Sequence, residues 1–62
     1  MEKAKKFMQA LRISSYTERH LKIVDEFLKS GEKDCRVILN KLGTWTDDDL
    51  ANAVQFMLDN NI

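Results

Sequence analysis

GTWTDDDLANAVQFMLDNN, residues 43–61, sets three consecutive aspartates between a tryptophan and an amphipathic run. Such a triplet can hold a metal, repel a charged surface or start a helix, and the neighbouring residues decide among the three. Thr46 is a good N-cap, and Asp49 follows three positions later as a shortened form of the capping-box acid. Trp45 before the cap and Leu50 beyond it have the spacing of a hydrophobic staple. Asp47, Asp48 and Asp49 then lie on the positive end of a helix dipole, where each contributes about 0.3–1 kcal/mol. A calcium loop needs a D-x-D-x-D-G pattern or a second group of ligands, and neither is present. The aspartates read as a helix start. Leu50, Ala53, Val54 and Met57 form the expected buried stripe, and Asn60–Asn61 the expected end.

Reading backwards from Gly43 gives three more segments of the same kind. About Glu32–Leu42, Cys35, Ile38, Leu39 and Leu42 fall in line and Gly43 closes the helix. Before it, Gly31 supplies the stop for a segment expected to begin at Ser15, where SYTE has capping-box form with Ser15 and Glu18. Tyr16, His20, Ile23, Val24 and Phe27 share one face of that segment, with Leu28 on its flank. In the first segment, about Glu2–Leu11, Ala4, Phe7, Met8 and Leu11 recur at i, i+3, i+4, i+7, leaving Lys3, Lys5, Lys6 and Arg12 outside. There is no proline, and both glycines stand where helices should stop. The fold class is therefore all-α: one domain over 1–62, with an N-terminal amphipathic helix (1–13) and a compact three-helix core (14–62). The N-terminal helix either completes that core or pairs with another copy in a homodimer.

Size narrows the function. A 62-residue chain buries about 60% of its unfolded surface, and such a core supplies no more than ~3–5 kcal/mol. That leaves little stability for a strained catalytic site. One Cys forms no internal bridge, and one Cys with one His falls short of a structural zinc set, so neither metal nor cofactor is expected. Net charge is zero but unevenly spread: residues 1–30 carry seven Lys/Arg against four Asp/Glu, and residues 31–62 carry three against six. This charge dipole suits docking and lacks the strong basic excess of a nucleic-acid binder. No apolar run approaches the ~18 residues of a membrane span and no signal-peptide core is present, so the cytoplasm is the expected compartment. Met1 without a tag is what a complete small protein would show.

Cys35 and His20 are the one pair that could suggest nucleophilic catalysis, and both fall on apolar stripes where core packing is their expected role. A helix-turn-helix regulator is the alternative to weigh, since the second and third segments are joined around Ser30–Gly31. Its would-be recognition helix offers only Lys33, Arg36, Asn40 and Lys41 outward, and the aspartates of the fourth helix would face phosphate. Lys3, Lys5, Lys6 and Arg12 are the possible phosphate contacts under that reading. Two apolar residues stand off the stripes: Val37, opposite Cys35 and Leu42, and Phe56, on the far shoulder from Leu58. Either the first helix covers them or they form an exposed contact patch.

EKDCRVILNKLG followed by DLANAVQFMLDNN resembles the last two helices of ubiquitin-associated (UBA-like) three-helix modules. Ile38–Leu39 stand for the end of one helix and Ala53-Val54-Gln55-Phe56-Met57-Leu58 for the capped run of the next. The resemblance covers residues 31–60 and implies that Ser15–Ser30 is the module's first helix and Glu2–Leu11 an addition. Where ubiquitin binders of that family carry an M-G-F-type loop, this chain has Leu28-Lys29-Ser30-Gly31, and the turn GTWTDD is longer than usual. The resemblance therefore implies protein contacts without naming ubiquitin. The expected function is non-catalytic protein binding, as a small adaptor or inhibitor, with a partner lying on Val37, Phe56, Leu28 and Leu58. The alternative is the small helix-turn-helix-like DNA-binding regulator.

Overall fold

The computed structural model describes residues 2–62 and holds four α-helices: α1 (Glu2–Ala10), α2 (Glu18–Ser30), α3 (Cys35–Leu42) and α4 (Asp47–Asp59). Consecutive helices pack on each other and α4 closes back on α1, so the helices form a ring. Among the described residues no Cα of α1 comes within 8 Å of α3, nor any of α2 within 8 Å of α4. The Cα radius of gyration, 10.2 Å, is close to the ~10.6 Å expected for a folded domain of this length.

Helix α1 completes the core, the first of its two expected roles. All four residues of its stripe, Ala4, Phe7, Met8 and Leu11, are buried. It ends in a Schellman motif: Arg12 adopts φ 59°, its N–H donates to the Gln9 carbonyl at 2.9 Å, and the Ile13 N–H reaches back to Met8 at 3.0 Å. Helix α4 ends the same way, with Asn61 at φ 56° and bonds from Asn61 to Leu58 (3.2 Å) and from Ile62 to Met57 (2.9 Å). In both motifs an isoleucine follows the left-handed residue and packs against the core.

Helix α2 begins later than the SYTE pattern suggests. Thr17 is its N-cap, and the Thr17 N–H donates to His20 Nδ1 at 3.1 Å. Ser15 lies outside the helix because Ile13 and Tyr16 pack against the core from the extended connection between α1 and α2. Starting the helix at Ser15 would lift Tyr16 off that surface. The buried face is accordingly Leu21, Val24 and Phe27, while His20, Ile23 and Leu28 are half-buried.

Helix α3 is also shorter than its periodicity, because side chains have taken over the backbone donors ahead of it. Gly31 turns the chain at φ 83°. Ser30 Oγ accepts from the Glu32 N–H (3.2 Å) and donates to the Phe27 carbonyl (2.7 Å). Glu32 Oε1 accepts from the Lys33 and Asp34 amides, both at 3.0 Å. Asp34 is the N-cap, taking the Arg36 N–H at 3.0 Å.

The aspartate triplet does what its spacing asks. The Thr46 N–H donates to Asp49 Oδ2 (3.0 Å), and the Asp49 N–H donates to Thr46 Oγ1 (3.4 Å), closing the capping box. Trp45 and Leu50 both pack against the core. The buried stripe of α4, however, is Ala53, Phe56 and Met57, while Val54 is 43% exposed. The helix is rotated so that Phe56 meets Phe7 of α1, their ring centroids 5.4 Å apart and nearly perpendicular. A phenylalanine buries more apolar area than a valine, so this rotation outweighs the alternative stripe.

Candidate partner-binding surface

The four residues expected to meet a partner do not form one patch. Phe56 is 8% exposed and belongs to the core, the first of its two alternatives: α1, by way of Phe7, covers it, and Phe56 is not part of an open partner surface. Leu28 is half-buried against the same core. Val37 and Leu58 do face outward, on α3 and α4 respectively.

Leu58, 67% exposed, is the most open large apolar side chain among the described residues. Val54 precedes it by one turn, and the exposed Ala51 precedes Val54 by three positions. These three occupy one row along the outside of α4, at i, i+3 and i+7. The i, i+3, i+4 spacing around Leu50 places Val54 in the core and so hides the row. Only the docking of Phe56 onto α1, a long-range choice, exposes it.

Val37 lines a separate groove between α2 and α3 of about 310 Å³, floored by Ile23 and Phe27 and rimmed by Glu26, Glu32 and Lys41. The charges on this rim are of both signs. A second hollow of about 390 Å³ lies beside the α1–α2 connection, between Gln9, Arg12, Ile13, Ser14 and Tyr16.

On α1, Lys3, Lys5 and Lys6 are exposed, as is Arg12 in the turn that follows, and none of them makes an ion pair among the described residues. The outward face of α3 is tied down by comparison. Arg36 grips Asp34 in a two-point pair, Nε to Oδ1 and Nη2 to Oδ2, both 3.0 Å. That pairing, through the side-chain hydrogen bonds first, holds the Asp34 carboxyl below its ordinary range. Asn40 Oδ1 accepts from Trp45 Nε1 at 2.8 Å. The two side chains of α3 best suited to read base edges are thus engaged within the chain.

Cys35 lies in the core, where burial first and the neighbouring Asp34 charge second push its thiol up, away from the reactive thiolate. His20 has its Nδ1 occupied by the Thr17 amide at the start of α2. Among the described residues no three His, Cys, Asp or Glu side chains gather as metal ligands, and no helix is long and apolar enough to cross a membrane. No known protein-family model, curated protein or solved structure matches the chain.

Proposed function

We propose that this chain is a non-catalytic protein-binding module of the cytoplasm, a small adaptor or inhibitor, whose partner lies on the outer face of α4. The observation that carries the reading is the Ala51–Val54–Leu58 row. Among the described residues every buried side chain is apolar, yet two large aliphatic side chains stand open on successive turns of one helix. Removing such a row from water on binding is favourable at about 25 cal/mol per Å². The resemblance of residues 31–60 to ubiquitin-associated modules, which serve protein contacts, points the same way.

The second reading, a DNA-binding regulator, draws support from the exposed Lys3, Lys5 and Lys6 on α1, which make no ion pair among the described residues. Against it stand the engaged Arg36 and Asn40 and the acid-rich start of α4. The two readings separate in one paired experiment. Immobilised wild-type chain, Leu58→Ser and the double variant Lys5→Glu/Lys6→Glu are used as baits in extract of the source cells. Protein binding through α4 predicts a partner retained by wild type and by the lysine variant, and lost with Leu58→Ser. Loss with the lysine variant alone, together with amide shifts at Lys3–Arg12 on adding a DNA duplex that fade with salt, would replace it with the DNA reading.

A further inference from the structure

Resting on that reading, we infer the chemical class of the partner: a cationic amphipathic helix of another protein. Helix α4 carries Asp47, Asp48, Asp49 and Asp59 and no basic residue. Asp47 lies in the same row as Ala51, Val54 and Leu58, at i, i+4, i+7 and i+11. Asp48, Gln55 and Asp59 form the next row outward, where Gln55 Nε2 donates to Asp59 Oδ1 at 2.8 Å. The open face is therefore an apolar strip with carboxylates at one end and along one border. Ala51, the small residue of the strip, admits a close helix backbone, while Val54 and Leu58 receive two apolar side chains one turn apart. Lysines or arginines flanking those anchors would meet Asp48 and Asp59.

Charge or shape rules against the other occupants. Two α4 helices packed antiparallel would set each copy's Asp47–Asp49 near the other's Asp59, and packed parallel would set like rows side by side, both repulsive arrangements. The basic outer face of α1 from a second copy presents Glu2, Lys3, Lys5, Lys6 and Gln9, with no large apolar group to cover Val54 and Leu58. An anionic lipid surface would repel the aspartates.

The test uses the isotope-labelled full chain and two synthetic helical peptides. Both peptides carry leucines at i, i+3, i+4 and i+7; one has lysines at the flanking positions and the other glutamates. The lysine peptide is expected to shift the amides of Ala51–Leu58, to bind at least about tenfold more tightly than the glutamate peptide, and to lose several-fold between roughly 0.05 and 0.3 M salt, as interactions between exposed charges are screened. Leu58→Ser should weaken it about tenfold with helicity unchanged. Equal binding of both peptides to the α4 face would overturn the charge selection and leave the protein-binding reading standing. Failure of both peptides to shift α4 would overturn the cationic-helix inference, and the bait experiment with Leu58→Ser then decides separately whether α4 binds a protein at all. Shifts of Val54 and Leu58 on concentrating the chain alone would make a second copy the occupant and overturn this inference.

Discussion

Phe7 and Phe56 meet edge to face, 5.4 Å between centroids, and join the first helix to the last. The pair lies within the one interface that closes the ring, since the other three link helices adjacent in sequence. It also settles which side of α4 is inside and therefore which residues are left out.

Phe56→Ala should remove most of the native state. Truncating a buried phenylalanine costs about 3–5 kcal/mol, as much as the ~3–5 kcal/mol that the core of so small a chain supplies. Leu58→Ser, one turn from Phe56's neighbours but exposed, should change stability by less than about 0.5 kcal/mol. Thermal melts followed by circular dichroism compare the two directly. Equal losses would mean that Leu58 is packed in solution.

Arg12→Gly should stabilise the chain. Arg12 holds the left-handed position of the α1 Schellman motif at φ 59°, a conformation costing an ordinary side chain about 1–2 kcal/mol. Glycine removes that strain but brings more freedom to the unfolded chain, leaving a net gain of about 0.5–1 kcal/mol. The melting temperature should rise by ~3–6 °C. A drop in melting temperature would show that the guanidinium makes contacts which outweigh the backbone strain.

Acid should loosen the start of α3. The Asp34 carboxyl is held below its ordinary value, chiefly by the Arg36 hydrogen bonds. Its folded pKa is thus lower than its unfolded one, so its contribution is fully present above about pH 4 and is lost as pH falls through the folded value. Asp34→Asn keeps an N-cap oxygen but removes the charge. The variant should melt slightly below wild type near neutrality, and the two curves should converge in acid, once pH has fallen below the depressed folded value. A gap that persists in acid would assign the difference to geometry rather than to ionisation.

The local parts of this fold are written in short stretches of sequence. The α1 stripe, the glycine stops and the Thr46–Asp49 box each depend on residues within a turn or two of one another, and the structure places all of them as spaced. What spacing does not carry is competition. Ser15-x-x-Glu18 and Thr17-x-x-His20 both offer a helix start, and the hold of Ile13 and Tyr16 on the core selects the second. The outer row of α4 is hidden in the sequence for the same reason. Val54 and Phe56 both fit an apolar face, and the choice rests on Phe7, nearly the whole chain away. Of the four residues expected on a contact surface, Val37 and Leu58 are open; the partners of Leu58 in its row, Ala51 and Val54, became visible only once α1 was in place.

The closed ring also concentrates the entropy of folding at one seam. The α1–α2, α2–α3 and α3–α4 pairs each join across a few residues, so their closure is inexpensive. Bringing α4 back to α1 closes a loop of almost the full chain, and the entropy of that closure grows with the logarithm of its length. Without the Phe7–Phe56 contact, Phe56 would have no lid and nothing would choose its side of α4 over that of Val54. The seam with the largest closure entropy is thus also the one that turns Val54 and Leu58 outward.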